Sequence, residues 1–221
     1  MAEFAQFFAL SFSALFPVVN PIGSALVFLG MVGVTGGNVY KTLARKIAVS
    51  TALFLLTLDV GGAAILKVFG ISLPIVQLAG GLVVAALGWG LLNQKEAADP
   101  GSVAAAPVDM RVLQRKIFYP FTFPVTAGPG VLVVMLTLSA HASKGALSYI
   151  MFAQLGVLAG MVLMCLAVYL SYAYAPKVTA KVSPSTAHGI LRVIAFVLLC
   201  IGAQIAWNGV VSLAATLHFA R

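Results

Sequence analysis

The sequence predicts an all-α integral membrane protein of six transmembrane helices, built as two inverted-topology three-helix repeats with helices 1 and 4 discontinuous. Three observations predict it. Apolar residues make up 62% of the 221 residues and charged residues only 8%, against roughly 25% charged in soluble domains. So few charges could not cover a water-facing surface. Charge-poor runs divide the chain into six stretches, each long enough to cross a ~30 Å hydrocarbon core. Finally, a motif bearing proline and glycine in the first stretch recurs in the fourth. This composition excludes a cytosolic enzyme, a disordered chain, a coiled coil and a nucleic-acid module. The net charge of +8, which in a soluble domain would suggest nucleic acid, is therefore read loop by loop.

The six stretches are 4–40, 47–66 (interrupted by Asp59), 68–94, 117–143, 145–176 and 193–220. Charge at mid-bilayer costs a few kcal/mol per residue, which makes such gaps firm markers. The first stretch is too long for one straight crossing and contains Pro17, Asn20, Pro21 and Gly23, so it reads as a broken helix followed by a loop entry. Residues 1–92 form the first repeat, 93–116 a cytoplasmic linker with Asp99-Pro100-Gly101-Ser102, and 117–221 the second repeat, all within one membrane domain. No cleavable signal peptide is expected, because Glu3 replaces a basic flank and no small-residue cleavage site precedes a polar start.

Ten of the thirteen Lys and Arg residues fall in the connections after spans one, three and five, among them Lys41, Arg45, Lys46, Lys177 and Arg192. By the positive-inside rule those connections are cytoplasmic and both termini lie outside. Phe118, Tyr119, Tyr172 and Tyr174 suit interfacial belts. Cys165 and Cys200 each sit in an apolar run and read as small core or lipid-facing residues.

Phe16-Pro17-Val18-Val19-Asn20-Pro21-Ile22-Gly23 lies over Phe123-Pro124-Val125-Thr126-Ala127-Gly128-Pro129-Gly130 at an offset of 107 residues. A unit of three spans is odd, so its two copies sit in the membrane with opposite orientation. Proline removes a backbone donor and glycine permits conformations that other residues avoid, so both helices should break there. Broken backbone at membrane depth frees N–H and C=O groups that protein, water or ligand must satisfy. Two such breaks in inverted halves point to a midplane binding site. Half-helix amino termini favour a carboxylate and exposed carbonyls an ammonium, so a small zwitterion fits.

Asp59 is the only acid inside an expected span. It could carry a coupling proton or meet a substrate ammonium, or it could simply face Lys67 or interfacial water. Gln77 and Arg192 sit near the starts of spans three and six, where a snorkelling anchor competes with a substrate contact. Gln204 and Asn208 share a face of span six, as pathway lining or as interhelical glue. Gly80, Gly81, Gly88, Gly156 and Gly160 read as close-packing positions. His141, His188 and His218 are too scattered for a metal site, and the sequence carries no dinucleotide, phosphate-loop or zinc-protease signature. No cofactor and no enzymatic chemistry are expected.

With Asn20-Pro21-Ile22-Gly23, Phe69-Gly70-Ile71-Ser72-Leu73, Ala79-Gly80-Gly81 and Phe123-Pro124 with Thr126-Ala127-Gly128-Pro129-Gly130 in order along nearly the whole chain, the sequence resembles the MarC family of bacterial and archaeal six-span membrane proteins. Better-characterised members are small neutral amino acid transporters. The resemblance implies discontinuous helices around a central site, movement of glycine, alanine or serine across the inner membrane, and residence in a bacterial or archaeal cell membrane. The expected partners are a small neutral amino acid, a coupling proton or sodium ion, the lipid bilayer and a second copy in a homo-oligomer, with no nucleic acid. Asn20, Pro21 and Gly23 from the first half, and Thr126, Ala127, Gly128, Pro129 and Gly130 from the second, are the expected substrate-binding residues, with Asp59, Gln77 and Gln204 as coupling or pathway candidates. The family name also carries an antibiotic-resistance association, which keeps two alternatives: a non-transporting stress-associated membrane protein and an exporter of another small solute.

Overall fold

The computed structural model describes residues 1–33, 37–93, 110–143, 146–179 and 184–218, and its regular structure there is entirely helical. Most of the expected linker lies outside those residues, as do Lys95, Lys144, Lys181 and Arg221. The helices are α1 (Ala2–Val19), α2 (Pro21–Val32), α3 (Gly37–Val68), α4 (Leu73–Leu92), α5 (Met110–Arg115), α6 (Pro129–Ala142), α7 (Leu147–Ala173), α8 (Ala175–Thr179) and α9 (Pro184–His218). Between α5 and α6 runs a loosely wound segment, Ile117–Thr126.

Among the described residues four stretches are long and apolar enough to cross a bilayer: Ala2–Val32, Leu73–Leu92, Leu147–Ala173 and Arg192–Ala215. A fifth follows if Ile117–Thr126 and Pro129–Ala142 count as one bent span. The apolar run 47–66 falls inside α3, which starts ten residues before it. Lys41, Arg45 and Lys46 are therefore helical rather than loop residues, a correction that follows from their straight side chains, which lose little freedom in a helix. At 32 residues, α3 is ~48 Å long and outreaches the hydrocarbon.

Glycines set the closest helix contacts. A Cβ on Gly156 or Gly160 of α7 would strike α1 at Phe4, Phe8 and Ser11, and the residue numbers rise together, so these two helices run parallel. Between α4 and α9 they run in opposite senses. Gly81 abuts Gly202 and Ala206, while Gly202 abuts Gly81 and Ala85; Gly88 abuts Ala195 and Leu199, while Gly209 abuts Pro74 and Leu78. Shifting each α4 position by 121 reproduces every one of these pairs with the helices exchanged. Small residues at such a crossing let backbones approach and gain dispersion energy where lipid supplies no hydrophobic drive.

The apolar core lies between α1, α2, α3, α6 and α7, around Leu15, Phe28, Leu43, Phe121, Met135, Met164 and Tyr172. Phe28 is its hub, stacked on Tyr172 with centroids 4.7 Å apart and edge-on to Phe121 and Tyr40, geometries that aromatic pairs favour.

Candidate functional site at the helix breaks

The first break is a single residue. Asn20 adopts φ 45° and ψ 64°, the left-handed region that asparagine tolerates better than most residues. Its N–H donates to the Phe16 carbonyl at 2.9 Å, its carbonyl accepts from the Ser24 N–H at 2.8 Å, and its side-chain Oδ1 accepts from the Gly23 N–H at 3.0 Å. One residue thus closes α1 and caps α2. Pro21 follows at the first helical position, where its missing donor costs nothing. Gly23 is needed because the Asn20 amide folds over it, and a Cβ there would collide with that amide.

The second break is longer and built differently. Tyr119-Pro120-Phe121-Thr122 and Phe123-Pro124-Val125-Thr126 are successive aromatic-Pro-x-Thr tetrads. Each residue before a proline is extended, Tyr119 at φ −118°, ψ 123° and Phe123 at φ −118°, ψ 127°, as the proline ring demands. The hydrogen bonds stretch to five residues: Phe121 N–H to Lys116 O, Ala127 N–H to Thr122 O, Thr122 Oγ1 to Ile117 O at 2.8 Å and Thr126 Oγ1 to Phe121 O at 2.6 Å. The threonine hydroxyls thereby add donors to the Ile117 and Phe121 carbonyls within the loosely wound segment. Gly128 is extended, Pro129 opens α6, and the chain bends by 72°.

The two breaks meet in the core. Ser24 Oγ lies 2.8 Å from Val19 O at the first break and 3.0 Å from Val125 O at the second. Gly130 abuts Val18 of α1 and Val84 of α4, so a Cβ there would lie 2.8 and 2.7 Å from their methyls. Thr126 Oγ1 is 2.7 Å from Tyr172 Oη, and both residues are buried. The two breaks therefore touch through Ser24 and Val125 and through Val18 and Gly130, and Tyr172 joins Thr126; Asn20, Pro21 and Gly23 lie at the first break and Thr126, Ala127, Gly128 and Pro129 at the second. Ser24 follows the first motif directly, a signal that sequence reading could have used. Tyr172 corrects its expected interfacial role, since it is 0% exposed; Phe118, Tyr119 and Tyr174 are exposed.

Asp59 forms a separate buried group. It is 5% exposed on α3, one carboxylate oxygen accepts from Gln154 Nε2 of α7, and its backbone carbonyl accepts from Ser139 Oγ of α6 at 2.7 Å. The other carboxylate oxygen has no partner among the described residues. Lys67 is exposed, and Asp59 makes no ion pair with it, so the expected alternative of Asp59 facing Lys67 is corrected. Gln77 is buried on α4. Gln204 lies on the exposed face of α9 and donates to Asn208 Oδ1 at 2.9 Å, which places it apart from the breaks. Among the described residues no three His, Cys, Asp or Glu side chains cluster as metal ligands.

This arrangement of buried hydroxyls between two broken helices occurs in a chain whose residues 5–214 match the family model described as MarC family integral membrane protein. The chain belongs to the MarC family. It is 26% identical to the UPF0056 inner membrane protein MarC of Escherichia coli O157:H7 over 99% of its own length and all of the relative's. The corresponding protein of Citrobacter koseri is 25% identical over the same shares. The UPF0056 membrane protein YvbG of Bacillus subtilis is 28% identical over 85% of this chain and 86% of that one. No solved structure matches the chain. As a MarC-family protein it is an integral membrane protein of several helices long enough to span a bilayer.

Proposed function

We propose that this MarC-family chain is a secondary transporter that moves small neutral amino acids, glycine, alanine and serine, across the inner membrane by alternating access. The observation that carries the reading is Ser24, whose hydroxyl lies between a carbonyl of each helix break. A group shared by two discontinuous helices is placed to respond when one half moves against the other. Around it, Asn20 Nδ2, Thr126 and Tyr172 supply donors and acceptors, and Gly128 and Gly130 allow close backbone approach. The close packing there, with Ser24, Thr126 and Tyr172 buried, favours a small zwitterion over a ligand with a bulky side chain.

The six-span inverted repeat belongs to this proposal. Parallel α1 and α7, with antiparallel α4 and α9, is the arrangement that six alternating spans would produce, and the exchangeable Gly81, Gly88, Gly202 and Gly209 contacts fit a two-fold axis in the membrane plane. An offset of 107 residues relates the breaks and one of 121 relates the glycines, so the extra residues are assigned to the connection that holds α8. Both termini would then face outward. Asp59, buried with one oxygen free of partners among the described residues, is the proposed carrier of a coupling proton or sodium ion.

Counterflow in proteoliposomes tests the reading. Vesicles preloaded with glycine, alanine or serine should accumulate labelled alanine, whereas leucine and lysine should not drive it. Accumulation with none of these, from folded protein, would refute amino acid transport and favour the non-transporting reading or another small solute.

A further inference from the structure

We infer that the groove between α3 and α7 is a binding site for one anionic phospholipid, with an acyl chain along the groove and the phosphate at its basic end. The groove encloses about 480 Å³ and is lined almost wholly by apolar side chains, including Ala52 and Leu56 of α3 and Met161, Cys165 and Leu166 of α7. Only at one end is there a cation, Arg45, with Tyr169 beside it. From Arg45 to Leu56 the groove follows eleven residues of α3, or ~16 Å, close to half of a ~30 Å hydrocarbon core. That is the depth of one leaflet.

Charge marks the headgroup end. Lys41 stands one helical turn before Arg45 on the same face of α3. Its Nζ lies 6.0 Å from the ring centre of Tyr174, and Lys177 Nζ lies 5.8 Å from the same ring. These cations converge where α3 and the end of α7 come together, and all three are exposed. Among the described residues no carboxylate pairs with any of them. Three unneutralised cations with tyrosines above a leaflet-deep apolar groove match a phosphate on a glycerolipid, with the guanidinium suited to bidentate phosphate contact. An amino acid substrate would find almost nothing polar below the rim, so the groove is distinct from the helix breaks.

The test is native mass spectrometry of the full-length protein, released from micelles holding phosphatidylglycerol or phosphatidylcholine of identical acyl chains. Phosphatidylglycerol should remain bound at least tenfold better. The double variant K41Q/R45Q should abolish a tenfold preference, since each cation is worth roughly fivefold, Arg45→Lys should keep most of it, and Ala52→Phe should lower retention of both lipids by filling the groove. Equal retention of the two lipids by the unmodified protein would overturn the inference without any variant having to fold. So would displacement of phosphatidylglycerol by free glycerol phosphate, which would indicate an anion site needing no acyl chain. A change in monomer-to-oligomer ratio in Ala52→Phe with lipid retention intact would also overturn it, since a second copy would then be the occupant.

Discussion

The two helix breaks carry similar proline- and glycine-bearing motifs and are built with different chemistry. At Asn20 the interruption is one residue long, the hydrogen bonds of Asn20 itself lie within four residues, and Ala2–Val32 remains a single 31-residue apolar stretch. At Ile117–Gly128 two proline tetrads loosen ten residues, the chain turns by 72°, and its polar groups depend on partners from elsewhere: Ser24 of α2 and Tyr172 of α7. A break that closes on itself can travel as a rigid body. One that borrows its hydrogen bonds is held only while the lenders stay put. The comparison teaches that a rearrangement at the second break would exchange specific partners, whereas one that carried the first break along would leave the hydrogen bonds of Asn20 intact.

The largest effect should come from cutting a borrowed bond. Thr126→Val keeps shape but removes a hydroxyl that serves both Phe121 O and Tyr172 Oη. Each buried group left alone costs on the order of 1–3 kcal/mol. We expect a loss of about 2 kcal/mol or more in unfolding measured in mild detergent with added denaturant, together with loss of counterflow. Tyr172→Phe should cost less, and the double variant should cost less than the two single losses combined, because they share one bond. Additive losses would mean that Thr126 and Tyr172 act independently and that the second break does not depend on α7.

Next in size is the self-contained break. Asn20→Ala loses a cap worth about 1 kcal/mol and places a Cβ residue without a capping side chain in a left-handed conformation that costs roughly 1–2 kcal/mol. Asn20→Gly keeps the conformation and loses only a few tenths of a kcal/mol as a cap. Stability should therefore recover in the glycine variant. If the Asn20 amide also holds substrate, counterflow should not recover with it; full recovery of both would make Asn20 purely a hinge.

The location of both breaks was legible in the sequence because it is local: a proline or glycine dictates backbone within a few residues of itself. Their partners were not. Ser24 reaches Val125 across 101 residues, Tyr172 reaches Thr126 across 46, and Gln154 reaches Asp59 across 95, and nothing in a single chain's local pattern encodes such pairings. Tyr172 was misplaced for a related reason, since a tyrosine near the end of an apolar run reads the same whether its hydroxyl meets water or a buried threonine. The glycine correspondence between α4 and α9 was hidden because it needs an offset of 121 where the breaks give 107. The onset of α3 was obscured by Lys41, Arg45 and Lys46, whose charges interrupt the apolar run and not the helix.

Asp59 sharpens the comparison from a third position, since it bridges α3 of the first half to α6 and α7 of the second. Asp59→Asn retains the size and a hydrogen-bonding group for Gln154, so unfolding should shift by about 1 kcal/mol or less. If the carboxylate carries a coupling ion, exchange of labelled alanine should persist while accumulation driven by a proton or sodium gradient disappears. Loss of exchange and accumulation together would make Asp59 part of the substrate site or its scaffold. Unchanged gradient-driven accumulation would remove it from coupling altogether.

The smallest effect is expected at Gln204. Its amide faces outward from α9 and is engaged with Asn208 at 2.9 Å, on the side of the helix opposite the Gly202 and Gly209 contacts with α4. Gln204→Leu exchanges a polar surface group for an apolar one in a lipid setting, so stability should change by less than about 0.5 kcal/mol in either direction and counterflow should stay at the level of the unmodified protein. The pair Gln204 and Asn208 still leaves amide donors with no described partner, and polar groups on a lipid-facing helix commonly join helices across an interface. A shift toward monomers in Gln204→Leu with transport intact would therefore assign this face to association between copies. A fall in transport without such a shift would mean that solute passes along the outer face of α9, and the reading of a site enclosed between the two breaks would have to give way.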